Sequence, residues 1–394
     1  MENAELNAMI HKSAELTKAD SSWKQPETFS YDSIQDQMRM QELFESGQIK
    51  NTFDPIEQIA ESEFELEYPE LKYNEKARQE FVKDVLLQGN SHGEWVYMQG
   101  DLIRYPKRDT YRDLRTYRYR NLITKEEQAK LNEARPSIFG LSVGGNIAVA
   151  IARNGIGKAI ALGDPDTLDV TGIGRNVTTM KDLTESKLNA VAKQISQIDP
   201  FMEQKHFKQG FNKEMETELV NFKPDVIFDE VDHMLSSAMM RQFSREQKLP
   251  YFNVSDVGER TVLEIVRHDL RDAKLYAGRG LPDDVVESLL RGELSDEDES
   301  MICMKTVGAR NVLATPRLIE SSLEIGKNLA GIPQLGSTAL MAAGYAVTAY
   351  RNSILGRSNA DGISVIKADK MLGVKPSFSE YQRLINDFLR AKKS

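Results

Sequence analysis

The feature that most constrains the fold is an apolar segment near the middle of the chain that is interrupted by glycines. Residues 137–139 read as the end of an apolar strand, residues 140–145 as a glycine-rich turn, and residues 146–154 as the apolar start of a helix. A second apolar strand follows over residues 159–162. Strands joined through a helix in this way lie parallel in one sheet. The sequence therefore predicts an α/β domain built on a parallel sheet.

The glycine turn and the acids after the second strand indicate a nucleotide site. Backbone N–H groups of such a turn, with the positive end of the helix, can face phosphates. An acidic residue about 20 positions further on suits a ribose hydroxyl. Ser142 stands where a third glycine would complete the usual pattern, and glycine turns also join strands to helices without a ligand. The candidate nucleotide-binding residues of this segment are Gly140, Ser142, Gly144, Gly145, Asp164 and Asp166.

Cationic residues follow this unit. Arg175 and Asn176 fall in a loop after the second strand, and Asn176 is a further candidate for nucleotide binding. Lys187 lies near the start of a helix with an apolar stripe, where the helix dipole disfavours a cation unless an anion is bound. Lys187 could also be an ordinary surface lysine.

A later strand delivers two more acids. Residues 226–228 read as a buried strand that ends in Asp229 and Asp232. Acids at the carboxyl ends of parallel strands point into the ligand crevice of such sheets. Asp229 is a candidate for nucleotide binding, although it could instead cap a helix that begins near Leu235. Asp232 is the candidate ligand of a magnesium ion.

Together these residues favour a triphosphate over a dinucleotide. Arg175 and Lys187 can neutralise phosphate oxygens, and Asp232 can hold Mg²⁺ through one carboxylate and waters. A dinucleotide dehydrogenase would have no evident use for Lys187 and Asp232 together. The sequence thus predicts ATP and Mg²⁺ as cofactors.

The order of these motifs resembles that of the ThiF/MoeB/HesA family, the ubiquitin-activating-enzyme-like adenylyltransferases. The matching motifs are the glycine turn, the strand ending in Asp164 and Asp166, the segment GIGRN around Arg175, then Lys187, then DEVD at residues 229–232. The segments TYRYRN, PYFNVSDVGERTVLEIV and GIPQLGSTALMAAGYAVTAY are also similar to the family's. The resemblance spans about residues 113 to 356.

The resemblance implies a fold, an activity and residue roles. The fold would be a Rossmann-like, mostly parallel sheet with helices on both faces and an antiparallel extension. A carboxylate, usually a protein or peptide C-terminus, would attack the α-phosphate of Mg·ATP and give an acyl-adenylate and pyrophosphate. Arg175, Lys187 and Arg120 would contact the phosphates, Asp232 the magnesium ion and Asp166 the ribose. Because Arg120 would reach a neighbouring subunit's phosphates, a homodimer is implied, with a carrier protein or precursor peptide as substrate.

The chain departs from the family pattern in several places. Many members hold a structural zinc with two C-x-x-C pairs, whereas this chain has a single cysteine, Cys303, which excludes a four-cysteine zinc site. Cys303 follows an acid-rich run, which disfavours a reactive thiolate; it is either a buried residue or a thioester nucleophile. Gly172 and Asn176 replace the family's usual Asn and Gln, and His233 replaces an Asn.

Composition bounds the remaining possibilities. A net charge of −9 at pH 7 argues against non-specific nucleic-acid binding. No apolar run approaches the ~20 residues of a membrane span, and the polar N-terminus lacks a signal-peptide core. Because a single cysteine also excludes an intrachain disulfide, we expect a cytoplasmic protein.

The chain divides into two predicted domains. Helical patterns and a hairpin turning at Gly100-Asp101 indicate a small N-terminal α+β region, with a polar tail, at residues 1–110. The ATP-binding adenylation domain would occupy residues 111–394. Two other functions stay open. The glycine turn is one residue shorter than the family's usual G-x-G-G-x-G, and this turn together with Gly172 also suits a non-catalytic relative that binds a nucleotide or a partner. The turn with Asp164 or Asp166 suits an NAD(P)-linked oxidoreductase.

Overall fold

The computed structural model describes most of the chain. The described residues are 22–183, 185–276, 281–295 and 315–374, with isolated positions at 6, 9, 12, 302, 383, 384, 386, 387 and 390. Cys303 lies outside them. The chain divides into two compact units, one of residues 1–132, 152–158 and 192–203, the other of residues 133–151, 159–191 and 204–394. This division groups residues 111–132 with the first unit, so the domain boundary placed between residues 110 and 111 stays a prediction.

The first unit contains a four-stranded sheet and several helices. Its strands are β1 (Glu27–Phe29), β2 (Asn51–Phe53), β3 (Glu94–Met98) and β4 (Asp101–Tyr105), in the order β1-β3-β4-β2. Its helices are α1 (Ile34–Glu45), α2 (Ile56–Glu67), α3 (Glu75–Leu87), α4 (Arg108–Thr116) and α5 (Lys125–Asn132). Strand β3 is antiparallel to β1 and β4, and β2 runs parallel to β4. One apolar core of this unit contains Phe29, Met40, Leu43, Trp95 and Leu102.

The predicted hairpin of β3 and β4 is present, but its turn lies one residue earlier than predicted. The turn residues are Gln99 and Gly100, with φ angles of 54° and 92°. Asp101 is already the first residue of β4 and pairs with Met98. Two-residue hairpin loops favour turns in which both central residues have positive φ. Gly100 tolerates that conformation without steric cost, which places it second in the turn.

The second unit contains a seven-stranded sheet. Its strands are β5 (Pro136–Phe139), β6 (Ala159–Gly163), β7 (Glu203–Phe207), β8 (Val226–Asp229), β9 (Pro250–Val257), β10 (Arg260–Arg267) and β11 (Gly362–Lys367). They lie in the order β11-β10-β9-β8-β5-β6-β7. Strand β5 is parallel to β6 and β8, and β8 to β9, whereas β10 is antiparallel to β9 and β11. This confirms the predicted mostly parallel sheet with an antiparallel extension.

Helices connect and cover these strands. They are α6 (Val143–Arg153), α7 (Lys187–Ile198), α8 (Glu216–Phe222), α9 (Met234–Glu246), α10 (Asp283–Arg291), α11 (Pro316–Leu323), α12 (Gly336–Ile354) and α13 (Ala368–Met371). The last residues of α6 and of α7 group with the first unit. Short 3-10 helices span Pro69–Leu71, Gly89–Ser91, Tyr117–Tyr119, Val170–Gly172, Met180–Asp182 and Lys213–Met215. Among the helices of the described ranges, none is long and apolar enough to cross a bilayer.

Both faces of the seven-stranded sheet are covered. Every residue of β5, β6 and β8 is buried, as in strands that are packed on both sides. Phe228 of β8 packs against Phe252 and against Tyr350 of α12. Its neighbour Ile227 belongs to a core cluster that includes Phe243 of α9. Successive residues of a strand point to opposite faces, so α12 and α9 lie on opposite sides of the sheet, as predicted.

A buried ion pair joins β10 to the short helix α13. Arg260 has no exposed surface, and its Nε donates to Asp369 Oδ1 at 3.0 Å. This hydrogen bond holds the pKa of the Asp369 carboxyl below its ordinary value. Removing one partner of such a buried pair typically costs about 3–5 kcal/mol, because the other charge is left uncompensated. The pair therefore ties α13 to the antiparallel extension of the sheet.

Candidate functional site

Predicted site residues of the second unit meet at one edge of its sheet. Gly140 follows β5, Asp164 and Asp166 follow β6, and Asp229 is the last residue of β8. These strands are adjacent and parallel, in the order β8-β5-β6. Open α/β sheets bind ligands in the crevice at the carboxyl ends of their strands. The structure therefore brings these residues to the edge where a ligand is expected.

The turn between β5 and α6 is shorter than predicted. Strand β5 ends at Phe139 and the helix begins at Val143, so the turn consists of three residues, 140–142. The predicted helix start at Asn146 was wrong, and Gly144 and Gly145 belong to the first helical turn. The chain reverses at once because Gly140 has a φ of +87°, a conformation that glycine adopts readily.

Close packing explains the three glycines of this segment. A Cβ on Gly140 would lie 2.3 Å from the carbonyl oxygen of Glu230. A Cβ on Gly144 would lie 3.3 Å from Glu230 Cγ, and one on Gly145 would lie 3.0 Å from Val191 Cγ2. The fold therefore requires a glycine at position 140 whether or not a phosphate binds, and side-chain packing restricts positions 144 and 145. Evidence for a ligand has to come from the polar groups around the turn.

Asp164 and Asp166 have different surroundings. Asp164 is buried, and its carboxylate accepts hydrogen bonds from the N–H groups of Leu141 (2.6 Å) and Asp166 (2.8 Å). Burial raises the pKa of the Asp164 carboxyl, and the two N–H groups oppose that effect. Asp166 is 63% exposed, and its Oδ2 lies 2.8 Å from Lys187 Nζ. Asp164 therefore orders the turn, whereas Asp166 is accessible to a ligand.

Lys187 lies at the first residue of α7, as predicted. Its backbone N–H donates to the carbonyl of Asp166 at 3.0 Å, in addition to the ion pair between the two side chains. The positive end of α7 and the Lys187 ammonium group therefore both lie next to Asp166. Only nearby negative charge makes that arrangement favourable, and Asp166 supplies part of it.

The loop after β6 is fixed to the start of α6. Asn146 Nδ2 donates to the carbonyl of Arg175 at 2.8 Å, and Arg175 Nη1 donates to the carbonyl of Thr171 at 3.3 Å. Arg175 Nε and Asn176 Oδ1 are buried and have no hydrogen-bond partner among the residues that the structure describes. Such atoms are uncommon in native proteins, and each needs an explanation such as a catalytic role or a bound water. The loop that carries Arg175 and Asn176 is therefore held in place, while each of these two side chains keeps unused hydrogen-bonding capacity.

Asp229 and Asp232 differ in accessibility. Asp229 is fully buried, and its Oδ2 accepts hydrogen bonds from the hydroxyls of Ser237 (2.5 Å) and Tyr251. Burial raises the pKa of the Asp229 carboxyl. The cap of α9 is His233, so the alternative that Asp229 caps this helix was wrong. Asp232 is exposed and is the acid of this motif that a ligand can reach.

Two acids that the sequence analysis did not single out lie at the same edge. Glu230 Oε1 accepts a hydrogen bond from the N–H of Val254 at 3.0 Å, and Asp256 Oδ1 accepts one from Gln334 Nε2 at 2.9 Å. Burial raises the pKa of Glu230 well above its ordinary value, and neighbouring carboxylates add to that. Burial also raises the pKa of Asp256, and the charge of Arg175 opposes it. Their positions at the ends of parallel strands were the signal that could have identified both.

The charges at this edge fit a phosphate chain with a magnesium ion. Arg175 and Lys187 supply positive charge, and Asp232 supplies an exposed carboxylate. Within the described ranges, no group of three or more His, Cys, Asp or Glu side chains could hold a metal ion. A magnesium ion that also binds phosphate oxygens needs only one or two carboxylates. Asp232 therefore fits a metal that arrives with a nucleotide.

Arg120 belongs to the first unit. Its guanidinium lies over the ring of Tyr117, 4.8 Å from the ring centroid, and 3.9 Å from Asp113 Oδ2. Together with Asp113 it lines a cleft of about 710 Å³ within that unit. Its role at the phosphates of a neighbouring subunit stays a prediction.

Several known proteins are similar to this chain. Uncharacterized protein MT1398 of Mycobacterium tuberculosis is 26% identical over 252 residues, which cover 64% of this chain and 34% of that protein. The chain thus matches about a third of the length of this relative.

Solved structures show similar folds. E. coli TcdA, a tRNA N6-threonylcarbamoyladenosine dehydratase in complex with ATP, has a TM-score of 0.46 and 17% identity, covering 63% of this chain and 96% of TcdA. PaaA has a TM-score of 0.45 and 16% identity, covering 61% and 72%. E. coli MccB with succinimide has a TM-score of 0.41 and 16% identity, covering 61% and 66%.

The family comparison covers the carboxyl edge described above. The model of the ThiF family matches residues 115–366, which is more than half of the chain and includes the glycine turn, Arg175, Lys187 and Asp232. The chain belongs to the ThiF family.

Proposed function

We propose that this protein is an ATP-dependent adenylyltransferase that activates a carboxylate as an acyl-adenylate and releases pyrophosphate. The carboxylate would belong to a protein or peptide C-terminus or to an acidic side chain. The observation that carries this proposal is the set of charges at the carboxyl edge of the sheet: Lys187 at the first residue of a helix, Arg175 in the adjoining loop and the exposed Asp232. Membership of the ThiF family supports the same activity.

The reaction requires alignment and charge stabilisation rather than a covalent step on the protein. A carboxylate oxygen attacks the α-phosphorus of ATP and forms a P–O bond. The bond from that phosphorus to the oxygen bridging the α- and β-phosphates breaks, and pyrophosphate leaves with the electron pair. Negative charge grows on the leaving group, so cations fixed beforehand lower the barrier without reorganising.

The site residues divide this task. Arg175 and Lys187 would neutralise the phosphate oxygens, and the N-terminal end of α7 adds positive potential next to Lys187. Asp166, already paired with Lys187 at 2.8 Å, would accept a hydrogen bond from the ribose. Asp232 would hold a magnesium ion, which supplies further positive charge to the leaving pyrophosphate.

Further features of this function are proposals of the same kind. Arg120 would contribute to the site of a second subunit in a homodimer. A carrier protein or a precursor peptide would provide the carboxylate, and the reaction would take place in the cytoplasm. Gly140, Ser142, Gly144, Gly145 and Asn176 would line the nucleotide, with Asp164 and Asp229 as buried supports.

Nucleotide binding by Lys187→Ala tests the proposal without knowledge of the substrate. Loss of a charge-assisted hydrogen bond to phosphate is worth roughly 1.5–3 kcal/mol, so the Kd for Mg·ATP should rise roughly 10- to 100-fold. Isothermal titration calorimetry measures it, and Asp232→Ala should weaken binding only when magnesium is present. Lys213→Ala is the matched control, because Lys213 has a side chain that is 74% exposed.

Three results would contradict the proposed function or its site assignment. Binding of NAD in place of ATP would favour an oxidoreductase. Equal ATP affinity in Lys187→Ala and Lys213→Ala would overturn the site assignment. Tight ATP binding without pyrophosphate exchange, when the natural acyl substrate is supplied, would favour a non-catalytic nucleotide-binding member.

A further inference from the structure

Strand β8 has a hydrogen bond between a tyrosine and an aspartate at each of its ends. Just before the strand, Tyr350 Oη donates to Asp225 Oδ1 at 2.6 Å. At the last residue of the strand, Tyr251 Oη donates to Asp229 Oδ2. Both tyrosines are buried, so the two bonds are of the same chemical kind. The second bond lies at the candidate site, because Asp232 follows Asp229 by three residues, whereas the first lies at the opposite end of the strand.

The Asp229 carboxylate is held by hydrogen bonds to both of its oxygens. Oδ2 accepts from the hydroxyls of Tyr251 and Ser237, and Oδ1 accepts from the N–H of Val231 at 3.1 Å. The carbonyl oxygen of Asp229 also accepts from Asn253 Nδ2 at 2.6 Å. Asp229 has no exposed surface, and burying a carboxylate is costly unless such bonds compensate it. Asp229 therefore anchors the backbone rather than contacting a ligand.

The ring of Tyr251 is itself fixed by a buried cation. The Arg241 guanidinium lies 4.2 Å from the ring centroids of both Tyr251 and Tyr276, and such cation–π contacts are attractive. Arg241 also forms a buried ion pair with Glu264, in which Nη2 lies 2.9 Å from Oε2. The packed interior thus determines the position of the hydroxyl that holds Asp229.

Asp232 lies in a short segment that is held at both ends. At one end, the Asp229 carboxylate accepts from the N–H of Val231, the residue before Asp232. At the other end, His233 caps α9 and its Nδ1 accepts from the N–H of Ser236 at 3.3 Å. Asp232 itself is exposed. An accessible carboxylate is therefore carried by a backbone that is restrained on both sides.

Magnesium gives this restraint a function. Mg²⁺ demands near-ideal octahedral geometry, with ligand distances of roughly 2.0–2.1 Å, so a carboxylate ligand has to be presented at a defined place. We propose that Tyr251 is a positioning residue that acts through Asp229 to set the place of the Asp232 carboxylate for magnesium. This inference rests on the proposed function, because it takes Asp232 as the ligand of a magnesium ion that arrives with ATP.

The magnesium dependence of ATP binding tests this role. Tyr251→Phe removes the hydroxyl and keeps the ring. The Mg²⁺ concentration for half-maximal ATP binding, measured by calorimetry, should rise roughly tenfold, as for the loss of one hydrogen bond to a charged group. ATP binding in the presence of EDTA should not change. Ser237→Ala removes the other hydroxyl from Asp229 Oδ2 and should act in the same direction, so it tests the same anchor if Tyr251→Phe does not fold.

Tyr350→Phe is the matched control. It removes the same kind of hydrogen bond from the opposite end of β8. Thermal melts should show a similar loss of stability in Tyr350→Phe and Tyr251→Phe, whereas the Mg²⁺ requirement should rise in Tyr251→Phe and stay at the wild-type value in Tyr350→Phe. In an Asp232→Ala background, Tyr251→Phe should have no further effect on magnesium dependence, because the residue through which it acts is gone.

Hydrogen exchange gives a readout that needs no nucleotide. Peptides that cover residues 230–232 should exchange roughly several-fold faster in Tyr251→Phe than in Tyr350→Phe, because the acceptor of the Val231 N–H is less restrained. If the wild type bound no ATP, the proposed function would fail, and faster exchange in Tyr251→Phe would still support the restraint on Asp232. Equal exchange in the two variants, or an equal Mg²⁺ requirement, would overturn the inference.

Discussion

At the residue scale, carboxylates that are close in the sequence differ in their solvent exposure. Asp164 and Asp229 are buried and accept hydrogen bonds from backbone or hydroxyl groups, whereas Asp166 and Asp232 are exposed. Each pair therefore has one member that orders the backbone and one that can contact a ligand. Substitutions in the two classes should affect different measurements, with stability sensitive to the buried member and nucleotide affinity to the exposed one.

Glu230 makes stability depend on pH. Burial raises its folded-state pKa well above the ordinary value of 4.5, so the folded protein binds this proton more tightly than the unfolded chain. The resulting stabilisation is present below the unfolded pKa and is lost as pH rises through the folded pKa. Glu230→Gln keeps an acceptor for the Val254 N–H but carries no charge. Its free energy of unfolding should match the wild type near pH 4 and exceed it near pH 8.

Urea denaturation at the two pH values measures this difference. Glu259→Gln replaces an exposed carboxylate and should follow the wild type at both. The opposite result would be a wild type whose free energy of unfolding rises relative to that of Glu230→Gln as the pH rises. It would show that the folded protein favours the ionised carboxyl and would contradict the prediction.

The order of motifs along the chain was enough to nominate Arg175, Lys187 and Asp232 as candidate site residues, and their roles stay predictions. The sequence could not identify the contacts of Glu230 and Asp256. The approach of Glu230 to the glycine turn comes from the pairing of β8 with β5, and Asp256 meets Gln334 across 78 positions. Such contacts depend on tertiary packing and cannot be read from a local sequence pattern.

At the scale of elements, the strands were predicted more closely than the ends of the helices and turns. Strands β5, β6 and β8 are short segments made mainly of apolar residues, so their positions follow from the sequence pattern. The start of α6 was misplaced because glycines were assigned to the turn, although a helix can contain them where packing requires it. The turn of the β3–β4 hairpin lies one residue earlier than predicted, because Gln99 has a positive φ of 54°. A positive φ is uncommon for glutamine, so the sequence does not indicate it.

The turn between β5 and α6 yields a prediction about stability. Gly140→Ala places a methyl group 2.3 Å from the carbonyl oxygen of Glu230 at a φ of +87°. Strained backbone conformations cost about 1–3 kcal/mol, and the steric overlap adds to that. The free energy of unfolding measured with urea should fall by at least this amount.

Gly331→Ala is the matched control for this turn. Within the described part of the chain, no heavy atom lies within 4 Å of the place that a Cβ on Gly331 would take, and its φ is not positive. Its substitution should therefore leave the free energy of unfolding within about 0.5 kcal/mol of the wild type. Equal stability of the two variants would mean that the contact with Glu230 does not restrict position 140.

At the scale of the whole molecule, the proposed homodimer can be tested by complementation. If Arg120 acts in the site of a second subunit, Arg120→Ala and Lys187→Ala should each be inactive alone. In a mixed dimer, one of the two sites then combines an intact Lys187 with an intact Arg120. Random exchange of subunits in a two-fold symmetric dimer should restore about a quarter of the wild-type activity.

Light scattering at micromolar concentration provides the accompanying measurement of mass. A monomer, or a mixture that stays inactive although mass measurements show mixed dimers, would count against a role of Arg120 in trans. Full activity of Arg120→Ala alone would remove this arginine from the site altogether.

The buried pair of Arg260 and Asp369 also bears on how the protein is made. The two residues are 109 positions apart, and ribosomes add roughly 5–20 residues per second, so the acid appears roughly 5–20 seconds after the base. If the sheet closed around β10 during that interval, the Arg260 guanidinium would be buried without its carboxylate partner. The sheet around β10 is therefore expected to stay open until Asp369 has left the exit tunnel.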